Sequence, residues 1–442
     1  MPIKTKEDVL KLVKQKKIRH IQIWFTDILG FLKCFTITDE ELPDSLDHGK
    51  GFDGSSITGY AEAEESDIVA KPDPSTFQLL PWEPEETLVG RMFCDILTPE
   101  GKPYPGDPRY ILKQNVQKAK DLGYNFYVGP ELEYFYFKER TRPEIVDEGS
   151  YFDVIPNDLA NSLRKKTVDI LRQMNIPVEM SHHEVSTSQH EIDLRFSDAL
   201  TMADAAVTYK MAVKEVAQKE NIHATFMPKP ILKVNGSGMH VHQSLFKGSK
   251  NAFFDEKDKY HLSDVAKKFI AGQLKHARQI CSLLSQWVNS YKRLVPGYEA
   301  PVYISWAQKN RTALIRVPVY RPGNESATRA EIRCPDPACN PYLAFSVMLA
   351  AGMEGIKRDY KLADPVEPNI YNMESAEREH RGLKKLPDNL FEAIKETEKS
   401  KLVKEALGEH IFTRFIHNKL REWEDYRIQI TSHEIKKYLP IL

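Results

Sequence analysis

The chain has 442 residues, and 62 Lys plus Arg against 63 Asp plus Glu leave a formal net charge of -1. That length exceeds what one hydrophobic core usually serves, so two domains are expected. The balanced charge gives no support to nucleic-acid or membrane binding by bulk electrostatics. Five cysteines, an odd number with no C-x-x-C pair, fit a reduced cytoplasmic setting. Cys334 and Cys339 flank Pro335-Asp336-Pro337, but no second thiol pair accompanies them, so buried inert thiols are favoured over a zinc or redox site. No stretch approaches 18 apolar residues, so no bilayer span is expected. The start leads into a charged helical pattern rather than a signal peptide.

In chain order, residues 5–16 read as an amphipathic helix, and Ile21, Ile23 and Phe25 alternate with Gln22 and Trp24 as in a strand. Ser45 to Gly59, rich in Gly, Ser and Asp, reads as a loop, and Met92 to Ile96 as a short strand. Residues 1–104 thus form a small mixed or mainly β unit. Asp107-Pro108 starts a helix, with Asp107 as cap and Pro108 at the first position; it runs to Leu122 and stops at Gly123. Phe126–Val128 and Glu131–Phe137 read as two strands broken by a turn at Gly129-Pro130. Helical spacing covers 158–175, 201–219, most of 262–290 and 341–356. Strand character covers 225–227, 238–242, 303–306 and 313–317. Strands and helices do not alternate at an even βαβ period, so a curved mixed sheet backed by helices is expected.

Four places carry chemistry. Glu131 and Glu133 lie two apart, so a strand aims both to one face. Glu184 and Glu191 follow the pair His182-His183 without forming an H-E-x-x-H zinc motif. Their oxygen donors favour magnesium or manganese over zinc. Asn235-Gly236-Ser-Gly238 permits close backbone approach to a ligand and leads to His240 and His242 on one face. One of these histidines can bind metal and the other donate to substrate. Arg329 and Arg333 flank Glu331, and Arg293, Arg311 and Arg316 precede them. Converging carboxylates need cations, and arginine forks suit phosphate or carboxylate oxygens. The combination points to metal-assisted chemistry on an anionic substrate. Asp53 and Glu299 sit in loop-like contexts where each could act as a base or close a pocket; for Asp53 before glycine a plain turn is the blander reading.

Taken together, Phe52-Asp-Gly-Ser-Ser56, Gly129-Pro-Glu-Leu-Glu133, Asn235 to His242, Tyr291-Lys-Arg-Leu-Val-Pro-Gly297 and Arg329-Ala-Glu-Ile-Arg333 resemble glutamine synthetases of the prokaryotic type I class. The resemblance implies an α+β protein. Residues 1–104 would be a β-grasp-like N-terminal domain, and 105–442 a catalytic domain with a curved, mainly antiparallel sheet backed by helices and a C-terminal helical tail. It implies ATP-dependent ligation of glutamate and ammonia through γ-glutamyl phosphate, with two or more Mg2+ or Mn2+ ions per site. By this resemblance, Glu133, Glu184 and Glu191 hold one metal, and Glu131, His240 and Glu331 the second. Arg293, Arg311 and Arg333, with the Asn235-Gly236 backbone, hold glutamate or the transferring phosphate. Glu133, His240 and Glu299 also border the substrate. Arg316 and Arg329 neutralise the nucleotide, and Glu179, Phe196, His242 and Ser244 line its pocket. Asp53 helps deprotonate ammonium, and Glu299 shields the intermediate from water. The implied assembly is a dodecamer of two stacked hexamers, with Asp53 serving the neighbouring subunit and the apolar tail Tyr438 to Leu442 gripping the opposite ring. Nitrogen-regulatory proteins and 2-oxoglutarate enter as candidate effectors.

The chain departs from the resemblance in places that bear on regulation. Tyr371 lies in Asn-Ile-Tyr-Asn-Met-Glu, not the adenylylated context, so the short, non-adenylylated subtype is expected. Glu62 stands where a feedback-inhibited subtype carries arginine, and Ser188 replaces a usual glycine. A ligase joining glutamate to a larger amine is the competing enzyme, disfavoured by the presence of Asp53, Arg293 and Glu299.

Overall fold

The computed structural model describes residues 5–59, 67–154 and 158–442. Glu62 lies outside them. The N-terminal part begins with helix α1 (Lys6–Lys16), closed by a capping box in which Thr5 and Asp8 satisfy one another's backbone amides. A six-stranded sheet follows, made of β1 (His20–Thr26), β2 (Leu32–Thr38), β3 (Lys50–Asp53), β4 (Asp67–Pro72), β5 (Gln78–Leu79) and β6 (Val89–Leu97). The order is β2-β1-β6-β4-β3, with β1 and β6 parallel. This is a β-grasp-like arrangement. Of the stretch expected to be a loop, 54–59 is loop, but its first part carries the end of helix α2 (Leu42–His48) and β3. Gly49, at φ 80°, ends the helix and lets the strand begin at once. Turn-forming composition there reflects this tight junction rather than an open loop.

The rest of the chain builds a ten-stranded sheet in the order β14-β15-β16-β12-β7-β9-β8. Its strands are β7 (Asn125–Phe137), β8 (Val178–His183), β9 (Gln189–Leu194), β10 (Ser197–Asp198), β11 (His223–Thr225), β12 (Met239–Lys247), β13 (Lys250–Asn251), β14 (Tyr303–Ala307), β15 (Ala313–Arg316) and β16 (Ala330–Ile332). The pairing is antiparallel except between β14 and β15. The expected break at Gly129-Pro130 is absent: β7 runs through it. Proline is tolerated there because β9 pairs from Glu131 onward and β10 only with Val128 and Tyr127. Pro130 therefore faces no ladder partner on that side. The hairpin β8–β9 was not anticipated, and β11 lies two residues before its expected start.

Helices back this sheet. They are α3 (Pro108–Asp121), α4 (Leu159–Gln173), α5 (Ala199–Lys219), α6 (Asp264–Leu284), the short α7 (Ser290–Arg293) and α8 (Pro341–Lys357). Asp107 caps α3 through the Arg109 amide, and Gly123 follows at φ 82°. Four more helices, α9 (Ser375–His380), α10 (Leu390–Glu398), α11 (Lys401–Arg427) and α12 (Ser432–Tyr438), complete the chain. Ile435, Leu439, Ile441 and Leu442 at its end are exposed. Among the described residues, no helix is long and apolar enough to cross a membrane.

A buried ionic joint ties the two sheets together. Arg109 reaches Asp73 (2.9 Å), Asp95 on β6 (2.7 Å) and Asp204 on α5 (3.0 Å). Nearby, Asn340 Nδ2 donates to the carbonyls of Asp27 and Ile28, and Gln286 to that of Leu29. Fixing β1 and β6 against α5 and α8 sets where the first sheet sits relative to the cleft.

Candidate active site

Strand register builds the site. Glu133 faces Glu191 across β7–β9, and Glu191 in turn faces His182 across β9–β8. On the other side of β7, Glu131 pairs with His240 of β12. His242 pairs with Glu331 of β16, which pairs with Arg316 of β15. Directly opposed side chains on a sheet lie within contact distance. Six neighbouring strands, from β15 to β8, thus place acids, imidazoles and an arginine on one face.

A cavity of about 260 Å³ opens over this face. Glu131, Glu133, Glu184, Glu191, Asn235, Gly236, His240, Arg293, Glu299, Arg311, Arg316, Glu331 and Arg333 line it, as sequence reasoning grouped them. A second cavity of about 820 Å³ adjoins it and is lined by Glu179, Phe196, His242, Ser244, Arg316 and Arg329. Glu131, Met180, Asp193 and Arg316 border both. Phe196 is 56% exposed and meets Tyr127 edge-on, leaving an aromatic surface open toward the second cavity. Asp53 lines neither cavity; it is exposed at the end of β3, where it accepts from the Ser55 amide.

The charges divide into two sets. Glu331 is fully buried between Arg333 (2.7 Å) and Arg316 (2.5 Å). Burial pushes its carboxyl up, but Arg333, the two histidines and Arg316 outweigh that and hold it at about 2. Burial also opposes ionisation of Glu131, and His242 and His240 overcome it, holding Glu131 well below the usual range. His240 Nδ1 lies 3.4 Å from Glu131 and 3.7 Å from Glu331. His242 Nε2 approaches Glu131 more closely, at 2.6 Å. Glu131, His242 and Glu331 lie within ligating reach of one another, but His242 accepts from Arg329 at Nδ1 and turns its Nε2 hydrogen to Glu131, which leaves His240 as the imidazole beside Glu131 and Glu331 that can ligate.

The second set lacks such compensation. Burial, then Glu184, pushes Glu133 up; burial, then Asp193, pushes Glu191 up; burial, then Glu131, pushes Asp193 up. Asp193 Oδ1 is buried without a hydrogen-bond partner. His182 Nδ1 meets the His183 carbonyl at 3.0 Å, which turns Nε2 toward Glu191 at 3.3 Å. A nitrogen and several oxygens thus converge with no side-chain cation among them, and His182, Glu184 and Glu191 can ligate one ion. Hard oxygens with one imidazole suit a divalent cation of the magnesium or manganese type. The donor set fits a metal on both sides of β7.

Orientation of the acids is itself controlled. Glu133 Oε2 accepts from Gln189 Nε2 (2.8 Å) and the Gly238 amide (2.9 Å), and Gln189 also donates to the Gly236 carbonyl (3.1 Å). Arg293 is buried; Nη1 and Nη2 donate to the carbonyls of Arg333, Cys334 and Pro335, fixing the strand exit beside the cavity. At the mouth, Glu299 stands at φ 53° and accepts from Asn235 Nδ2 at 3.0 Å. Tyr151 also lines the cavity. Sequence reasoning left out His182, Gln189, Asp193 and Tyr151. His182 and Asp193 could have been found, since each lies two residues from an assigned acid; Tyr151 carries no local signal.

Two families match. Residues 105–438 match "Glutamine synthetase, catalytic domain" and residues 17–99 match "Glutamine synthetase, beta-Grasp domain". The chain is 49% identical over 442 residues to the glutamine synthetase of Mycolicibacterium smegmatis, covering 99% of each. It is similar to GmaS in complex with ADP at 29% identity and TM-score 0.88, covering 98% of this chain and 99% of that one. It is also similar to the Plasmodium falciparum glutamine synthetase at 27% identity and TM-score 0.89, covering 99% of each.

Proposed function

The chain belongs to the glutamine synthetase family, and from that premise we propose that it joins L-glutamate and ammonia to give L-glutamine through γ-glutamyl phosphate, at the expense of ATP. The observation that carries the reading is the pair of acid sets on either side of β7, beside a second cavity large enough for a nucleotide. In the first step a γ-carboxylate oxygen of glutamate bonds to the terminal phosphorus of ATP, the bridging P–O bond breaks, and ADP leaves. In the second, ammonia attacks the acyl carbon, the C–O bond to phosphate breaks, and phosphate leaves.

Glu133, Glu184 and Glu191 would hold one divalent cation, with His182 as a further donor, and Glu131, His240 and Glu331 a second. Bound magnesium or manganese would neutralise charge on the transferring phosphoryl group. Arg316 and Arg333 face the same oxygens, and Arg329 turns toward the nucleotide cavity. Arg293, Arg311 and the Asn235-Gly236 backbone would position glutamate. Glu179, Phe196, His242 and Ser244 would receive the nucleotide, with the exposed ring of Phe196 stacking on its base. Glu299 would cover the acyl phosphate, which hydrolyses if water enters.

Asp53 lies away from the cleft of its own chain, which suits service in a neighbour's site within a dodecamer of two stacked hexamers. The exposed Ile435, Leu439, Ile441 and Leu442 suit contact across rings. We assign the short, non-adenylylated type I subtype, domains of 1–104 and 105–442, and a cytoplasmic location, in keeping with five free thiols. The test is an assay of purified protein with glutamate, ATP and Mg2+ or Mn2+, comparing ammonium with larger amines and adding 2-oxoglutarate or nitrogen-regulatory proteins as effectors. Glutamine and phosphate should form in equal amounts with ammonium. Without ammonium, glutamate should promote scrambling of the β,γ-bridging oxygen of labelled ATP. Turnover confined to larger amines, or no scrambling, would defeat the assignment.

A further inference from the structure

The hairpin β8–β9 has two faces. On one, His182 pairs with Glu191 toward the cavity; on the other, the next pair, His183 and His190, points away from it. That second pair meets one carboxylate. Asp147 Oδ1 accepts from His183 Nε2 (2.6 Å), the Ser188 amide (3.1 Å) and the Gly149 amide (3.0 Å), and Oδ2 accepts from His190 Nε2 (3.1 Å). The Asp147 side chain is 6% exposed.

The grip is passed directly to the cavity face. His183 Nδ1 donates to the carbonyl of Glu184 at 2.7 Å. Ser188 holds a left-handed φ of 58°, unusual for serine, and its hydroxyl accepts from the amides of Val146 and Asp147. Asp147 and Ser188 thus clasp one another, closing the turn that carries Glu184. Arg164 Nη1 donates to His190 Nδ1 at 2.6 Å, so Nε2 carries the hydrogen and faces Asp147. With a guanidinium on one ring nitrogen and a proton on the other, His190 cannot offer a lone pair to a metal. This cluster is a hydrogen-bonded clamp, not a further cation site.

We propose that Asp147 is a positioning residue: through His183, His190 and Ser188 it fixes the β8–β9 hairpin so that Glu184 and Glu191 meet one cation in a set geometry. The inference rests on the reading that these two acids bind a cation. Groups that orient metal ligands commonly govern affinity by roughly 10- to 100-fold. Losing the carboxylate would leave two buried imidazole N–H groups without their shared acceptor.

The test is Mn2+ titration of the assembled full-length protein, following free ion by electron paramagnetic resonance. Asp147→Asn should weaken one class of Mn2+ site by roughly 10- to 100-fold, leave the class built on Glu131 and Glu331 unchanged, and recover glutamine formation when Mn2+ is raised. Ser188→Gly keeps the turn, because glycine suits the left-handed φ; it should weaken the same class in the same direction and carries the test if the first variant fails to fold. Wild-type affinity in the folded variants, with only the unfolding temperature lowered, would overturn the proposal. So would loss of one whole Mn2+ equivalent with the others unchanged, because Asp147 would then be a ligand itself. Absence of Mn2+ binding by the wild-type protein would instead overturn the cation reading.

Discussion

The imidazole of His242 bridges Glu131 and the second cavity: Nε2 lies 2.6 Å from the Glu131 carboxylate. Arg329 Nε donates to its Nδ1 at 3.0 Å, which fixes the tautomer with hydrogen on Nε2. His242 therefore couples one acid set to an arginine of the second cavity. Replacing it by Ala removes Glu131's donor and Arg329's acceptor together. Both the ATP KM and the metal concentration for half-maximal activity should rise about tenfold, the usual scale for a group orienting a metal ligand. Steady-state kinetics with ATP and Mg2+ varied independently checks this; a change in glutamate KM alone would place His242 elsewhere.

Glu299→Ala separates shielding from assembly. The side chain is exposed, meets Asn235 at the mouth and belongs to none of the hydrophobic clusters. The variant should keep its oligomeric state and unfolding temperature while releasing phosphate in excess of glutamine, because water reaches the acyl phosphate. Phosphate and glutamine counted in the same reaction give the result, and unchanged one-to-one coupling would remove the shielding role.

The alternation of Glu131 with Glu133 and of His240 with His242 was legible because strand geometry has a period of two, and β7 and β12 keep it. The acids' grouping followed from charge: carboxylates that converge require cations. What could not be read was register. The register sets His240 opposite Glu131, yet the diagonal neighbour His242 reaches that carboxylate more closely, which neither spacing nor alternation reveals. Asp147 was invisible for a similar reason. It stands in an unremarkable acidic loop, and its meaning comes from His183 and His190, some forty residues later. Turn-prone residues misled at Gly129-Pro130 because the gap between β9 and β10 lets proline sit inside a strand.

Gly236 is required by space, not by φ. A Cβ there would run into the Pro228 carbonyl and approach Arg293 Cγ at 3.2 Å. The backbone clash cannot be relieved by a rotamer change, so Gly236→Ala must move the Asn235-Gly236 segment and disturb Arg293. Glutamate KM should rise at least tenfold, about 1.4 kcal/mol of lost binding, with a smaller effect on ATP KM. Isothermal titration with glutamate and a nucleotide analogue distinguishes this from general loosening, which would weaken both.

The joint between the two sheets should make stability depend on pH. Asp107 caps α3 and also accepts from the Ile96 amide of β6. Burial first, and Asp95 second, push its carboxyl up to about 7, against the stabilising amide donors. A carboxyl raised in the folded state binds protons more readily there than in the unfolded chain, whose value is about 3.9. Its contribution is therefore fully present below about pH 4 and is lost as pH rises through about 7, at about 1.4 kcal/mol per unit of separation. Asp107→Asn keeps a side-chain oxygen for the Arg109 amide and cannot ionise. Between pH 5 and 7 the wild-type protein should lose stability relative to the variant, a difference in which contributions from other groups cancel. Urea unfolding of both proteins across that range measures it, and parallel curves would show that Asp107 ionises in the folded protein as freely as in the unfolded one.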